Sequence, residues 1–131
     1  MPVELKILAW GAVLLLVHIF AAAHLKTRQY GAQWNMGARD ENLPPLRPIA
    51  GRLVRAQANF QETFPIAIAA LIGVVVAGRT SEWTALGGWI WLAARVVYLP
   101  LYGMGVPVVR TLAFAVSLVG LVMVLTPLIR G

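Results

Sequence analysis

The chain has 131 residues, 60% of them hydrophobic and 12% charged, with a mean hydropathy of +0.76. Soluble domains carry about 45–50% apolar and about 25% charged residues, and so short a chain cannot enclose this apolar excess in a water-soluble core; a soluble enzyme, a secreted disulfide scaffold and a disordered tail are excluded. Eleven Lys and Arg against five Asp and Glu give a formal net charge of +6, but the cations bracket apolar runs and do not interleave with exposed aromatics, so they read as membrane orientation signals and anchors, with no nucleic-acid partner.

A spanning helix needs roughly 20 mainly apolar residues. The first predicted span covers residues 5–25, its middle, residues 9–23, being unbroken apart from Gly11 and His18. Ala21-Ala22-Ala23 resembles a signal-peptidase site, but the weak n-region favours a retained span. Residues 26–48 form a polar loop holding Asn35, Asp40, Glu41, Asn42 and Pro44-Pro45, and long loops tend to carry function. The second span, 49–77, is the informative one. Its apolar part, residues 64–77, covers only about 21 Å of a roughly 30 Å hydrocarbon core. The helix must therefore extend back through Arg55, Gln57, Asn59, Gln61 and Glu62, and ionisable groups at such depth usually face a bundle interior or a polar cavity. A short turn leads to the third span, 83–104, which contains Arg95. Gly103, Gly105 and Pro107 mark the next turn, and the fourth span, 108–128, opens with Arg110. The predicted fold class is all-α: a single-domain, integral membrane four-helix bundle over residues 1–131.

Cysteine is absent, which removes disulfides, thiolate metal sites and a cysteine nucleophile. His18 and His24 fall on different helical faces, so no metal site is expected. Pro65 and Pro100 are read as kinks tolerated inside a membrane bundle. Trp10, Trp83, Trp89 and Trp91 are read as lipid-facing or interfacial. Lys26, Arg28, Arg39, Arg47, Arg52 and Arg110 gather at one membrane face, against Lys6, Arg79 and Arg130 at the other. Positive-inside counting puts the long loop in the cytoplasm and both termini outside.

On helices, Arg55, Asn59 and Glu62 share one stripe, as do Arg95, Tyr98 and Tyr102. With Arg110 these seven side chains are expected to converge in the cytoplasmic half of the bundle. Guanidinium groups there suit a ligand with carboxylates. Glu62 and Asn59 suit an ammonium or amide, and an arginine with tyrosine hydroxyls suits a thiolate or oxyanion. Structural readings stand beside these. Arg55 and Glu62 also fit a structural pair at a helix terminus, and Arg95 fits a bundle cation that satisfies carbonyls or neutralises Glu62. Tyr98 and Tyr102 fit interfacial aromatics, and Arg110 fits a snorkelling anchor.

The run Arg55-Ala56-Gln57-Ala58-Asn59-Phe60-Gln61-Glu62, followed by Phe64-Pro65, resembles the second helix of the MAPEG family, membrane-associated proteins in eicosanoid and glutathione metabolism. Ala94-Arg95-Val96-Val97-Tyr98 with Tyr102 resembles that family's third helix, and Arg110 its fourth-helix arginine. The resemblance covers about residues 52–128. It implies a homotrimer with glutathione as co-substrate, held between subunits by Arg55, Asn59, Glu62, Tyr98 and Tyr102, with Arg95 placed on the same stripe. Gln57 would serve the neighbouring subunit's site, Arg28 would match a further glutathione contact, and Arg110 would be the catalytic residue that stabilises the thiolate. Where the leukotriene-forming branch has tyrosine after the glutamate, this chain has Thr63, and its interval from Tyr102 to Arg110 is one residue longer.

The expected function is a glutathione-dependent membrane transferase or peroxidase acting on lipophilic electrophiles or hydroperoxides that arrive from the lipid. The alternative is a non-catalytic partner subunit or lipid-binding scaffold on the same fold. A bacterial inner membrane is the expected location. Expected partners are further copies of the chain, membrane lipids and a lipophilic small-molecule substrate.

Overall fold

A computed structural model describes residues 1–131, and the chain is entirely helical apart from its connections. Its elements are α1 (Val3–Tyr30), α2 (Ala32–Met36), α3 (Pro48–Val76), α4 (Glu82–Gly103) and α5 (Pro107–Arg130). The four long helices are each long and apolar enough to cross a membrane. Even the shortest, α4 with 22 residues, spans about 33 Å, enough for the hydrocarbon core.

Local chemistry explains the boundaries. Pro48 and Pro107 sit in the first turns of α3 and α5, where a missing N–H costs nothing and φ is already helical. α4 opens with a reciprocal cap: Ser81 Oγ accepts from the Thr84 N–H at 3.3 Å, and Thr84 Oγ1 accepts from the Ser81 N–H at 2.8 Å. The α3–α4 turn passes through Gly78 at φ 67° and the α4–α5 turn through Gly105 at φ 76°, a left-handed backbone that glycine adopts without a Cβ clash. Both helices continue unbroken through Pro65 and Pro100.

The segment 26–48, expected to be a loop throughout, is partly helical. α1 runs on to Tyr30, and α2 occupies Ala32–Met36 after a break at Gly31. Lys26, Arg28 and Gln29 are good helix formers, so the helix outlasts its apolar stretch. Asn35 Nδ2 ties α2 back to Thr27 Oγ1 at 2.7 Å.

α4 and α5 make the most extensive pairing, α1 packs along α3, and the two pairs join through α3 and α4. Where α4 meets α5 the backbones touch at Gly87 and Gly120, the small-residue contact that membrane helices use to approach closely. The core is built on Phe60, Leu71, Val74, Trp91, Leu121 and Val124. Phe60 stacks on Phe64 at 5.3 Å and on Trp91 at 6.1 Å. Trp91 is thus fully buried, against the expectation that it faces lipid, whereas Trp10, Trp83 and Trp89 are exposed. It packs into space left by Gly11, where a Cβ would lie 2.6 Å from the indole. Only 26 of 131 residues are buried, and apolar side chains such as Phe20, Ile72, Leu112 and Val122 point outward. That is a bundle whose outer solvent is lipid.

Near the end of the bundle opposite α2, Glu4 is 2% exposed and accepts a 2.7 Å hydrogen bond from Thr84 Oγ1. This link between α1 and α4 was not expected from the sequence.

Candidate functional site

The start of α3, the end of α4 and the start of α5 meet at the bundle end that carries α2. There Arg52, Arg55, Tyr102, Gly105, Pro107 and Arg110 line a recess of about 270 Å³. Arg52 Nε donates to the Gly103 carbonyl at 2.8 Å, placing a cation on the C-terminal carbonyls of α4, where the helix dipole favours it. Arg55 Nε donates to Tyr102 Oη at 3.3 Å. The Arg110 guanidinium lies 4.5 Å over the Tyr102 ring, a cation–π contact. Tyr102 is therefore the hub, gripped at its hydroxyl from α3 and on its face from α5. Three guanidinium groups share the recess and no acidic residue lines it, so its field favours an anion.

A second polar cluster lies one step deeper. Arg95 is completely buried, and its Nη1 donates to Asn59 Oδ1 at 2.6 Å. Its charge lies 4.2 Å from the Tyr98 ring centroid and 5.0 Å from that of Phe60. Nε and Nη2 have no partner. His18 stacks on Phe60 at 5.0 Å with both ring nitrogens unpartnered. Tyr98 meets Tyr102 edge-on at 5.5 Å, so an aromatic bridge joins the buried cluster to the recess. Asn59, and not Glu62, is the partner of Arg95.

The expected convergence of seven side chains thus resolves into two groups within one subunit. Arg55, Tyr102 and Arg110 meet in the recess, and Asn59, Arg95 and Tyr98 meet beneath it. Glu62 joins neither. It is exposed on α3, two turns beyond Arg55, without a hydrogen bond inside the chain. Gln57 is half-buried, two residues from Arg55 and so on another face of the helix. Arg28 lies in a separate cavity with Gln29 and Arg47. The Thr63 hydroxyl lies 3.3 Å from the Phe60 carbonyl and 3.4 Å from that of Asn59, bonded within its own helix.

From the sequence alone Arg52 reads only as a flanking cation. It lies three residues before Arg55, the spacing of one helical stripe, and extending the stripe by a turn would have found it. For His18 and Phe114 around Arg95, no sequence signal existed, because their placement comes from α1 and α5 packing.

The family model for the MAPEG family matches residues 7–129. No curated protein and no solved structure matches the chain. The match takes in all four spanning helices, the recess and the buried arginine cluster. The chain belongs to the MAPEG family and is an integral membrane protein.

Proposed function

We propose that the protein is a glutathione-dependent membrane transferase or peroxidase that acts on lipophilic electrophiles or hydroperoxides. The observation that carries this reading is the recess in which Arg52, Arg55 and Arg110 surround Tyr102 with no carboxylate to neutralise them. Three cations around one hydroxyl suit a small peptide-like anion with two carboxylates and an ionisable thiol.

In this reading Arg55 and Arg52 hold carboxylates by charge-assisted bonds. Glutathione supplies the sulfur nucleophile. Arg110 lies beside Tyr102 and offers a positive charge that favours thiolate over thiol. Tyr102 Oη gives a donor to the same sulfur or to a carboxylate. Asn59 and Arg95 hold Tyr98 and, through its edge contact, the position of Tyr102.

Glu62 supports the oligomeric part of the proposal. It sits at the midpoint of α3, about 21 Å from either end, and is exposed in the single subunit. A carboxylate facing hydrocarbon at that depth is costly. Its face, continued by Arg55, Ala58 and Gln61, is one that another copy of the chain would cover. In the proposed homotrimer Glu62 takes the ammonium of a ligand held between subunits, and Gln57 and Arg28 extend toward a neighbouring site. The proposed location is a bacterial inner membrane, with the α2 end cytoplasmic.

Ultraviolet difference spectroscopy of the detergent-solubilised protein, titrated with glutathione at neutral pH, tests the reading. A saturable thiolate band supports it. Calorimetric binding without the band, or no binding at all, overturns it in favour of a non-catalytic subunit or lipid-binding scaffold.

A further inference from the structure

On the face formed by α1, the start of α3 and the end of α4, two cavities share Ile49. The outer one, about 270 Å³, lies where α1 ends and α3 begins and is lined by Arg28 and Arg47 with Gln29 between them. The inner one, about 540 Å³, is a mainly apolar groove between Ala21 of α1, Leu53 of α3 and Leu99 of α4, with Arg52 as its one charged residue, its Nε engaged on the Gly103 carbonyl. Leu53 lies one turn beyond Ile49 on α3, and Ala21 lies one turn before Leu25 on α1. The groove therefore descends about 6 Å per such step from the charged rim into the bilayer.

Gln29 builds the rim. Its Oε1 accepts from the Arg47 backbone N–H at 2.7 Å and its Nε2 donates to the Pro45 carbonyl at 3.0 Å. The Arg47 guanidinium takes no part in this joint. Neither it nor that of Arg28 is hydrogen-bonded within the chain, and no acid lines the cavity. Two unneutralised guanidinium groups at the head of an apolar groove complement an anionic phosphate esterified to acyl chains. A zwitterionic headgroup offers them no net charge, and a free phosphate would leave the groove unfilled.

We propose that this face is a seat for an anionic phospholipid, its phosphate between Arg28 and Arg47 and one acyl chain along Ile49, Leu53 and Leu99. Arg52 lines both this groove and the Arg55 recess, and Arg28 is also the residue that the proposed trimer turns toward a neighbouring site. Lipid retention is therefore read without glutathione. Arg47, which lines neither the recess nor that site, separates a failure of the lipid seat from a failure of the thiolate reading. At the other end of the bundle Arg79 and Arg130 also line a cavity, with Trp83 and Thr126. It shares no residue with the groove, so it supplies a charge-matched control.

The test is native mass spectrometry of the full-length, detergent-solubilised protein. The probes are phosphatidylglycerol, phosphatidylcholine with the same acyl chains, and glycerol 3-phosphate. The wild type is expected to retain phosphatidylglycerol about thirtyfold better than phosphatidylcholine, from two arginines near the surface. Arg47→Gln, which leaves the backbone joint to Gln29 intact, should lower that preference about fivefold. The double variant Arg28→Gln/Arg47→Gln should remove it, Arg79→Gln/Arg130→Gln should keep it, and Leu53→Trp should reduce retention by filling the groove. The proposal is overturned if the two lipids are retained equally, if the preference survives Arg47→Gln undiminished, or if Arg79→Gln/Arg130→Gln removes it as well. Retention of glycerol 3-phosphate as strong as that of phosphatidylglycerol also overturns it, by making the rim a plain anion pocket.

Discussion

Gly120→Ala should pry α4 from α5. A Cβ at residue 120 would lie 2.5 Å from the Gly87 carbonyl oxygen, 2.6 Å from the Trp91 nitrogen and 3.1 Å from the Trp91 Cα. All three are backbone atoms, so no rotamer change relieves the clash. The helices must part by about 1 Å to restore ordinary contact, and a gap of that size forfeits roughly a quarter to a half of each affected dispersion contact. Gly87 has the reciprocal problem, since a Cβ there would meet the Gly120 carbonyl at 2.7 Å, so the interface is tight from both sides. Overpacking typically costs about 1–3 kcal/mol, and a backbone-to-backbone clash in the most extensive helix pair belongs at the upper end, about 3 kcal/mol. Equilibrium unfolding in mixed micelles, followed by tryptophan fluorescence, reads the change directly because Trp91 lies at this contact. Val119→Ala, at an outward-facing position beside it, is the control and should shift stability by less than about 0.5 kcal/mol. The reasoning fails if Gly120→Ala unfolds within that margin of the wild type, or no more readily than Val119→Ala.

Asn59→Leu removes the acceptor of the 2.6 Å bond from Arg95 and should cost about 1.5–3 kcal/mol in the same assay. Adding Arg95→Met should recover much of the loss, because the unpaired buried charge goes with it. Thr84→Val removes the hydroxyl that donates to buried Glu4 and should destabilise by about 1–3 kcal/mol, also read by unfolding; an unchanged midpoint would show that Glu4 finds another donor. Tyr102→Phe deletes the oxygen that receives Arg55 at 3.3 Å. It should change stability by less than about 1 kcal/mol while weakening glutathione binding about tenfold by calorimetry, and unchanged affinity would take Tyr102 out of the binding surface.

The four spans were legible because each apolar run is long and bounded by turn residues; the helices Val3–Tyr30 and Pro107–Arg130 simply reach further into polar sequence than their hydropathy did. The polar stripes were legible too, but which way each side chain turns was not. Tyr98 and Tyr102 lie four residues apart, yet Tyr98 is 2% exposed and Tyr102 opens on the recess. The difference arises because α5 covers one with Phe114 and only the guanidinium of Arg110 reaches the other. Helical periodicity places residues around one axis and carries no information about which neighbour stands opposite. Glu4 illustrates the same limit. A carboxylate in the first turn of a helix reads as solvated and dipole-favoured, and its burial follows from the way Thr84, 80 residues on, meets it across α1 and α4. Trp91 was misplaced because an aromatic in a span fits the lipid face as well as the core. Only the gap at Gly11 decides between them.

The most direct test of the functional account is the thiolate difference spectrum of wild type and Arg110→Ala, both titrated with glutathione in detergent. Arg110 touches the recess through the Tyr102 ring at 4.5 Å, whereas α4 and α5 are held together mainly by the close backbone contact at Gly87 and Gly120, so the variant should assemble as the wild type does. The account predicts a saturable thiolate band in the wild type and none in Arg110→Ala, with glutathione still bound. A band of equal height in Arg110→Ala would contradict the role assigned to this arginine, and a wild type that neither binds glutathione nor shows the band would contradict the proposed activity itself.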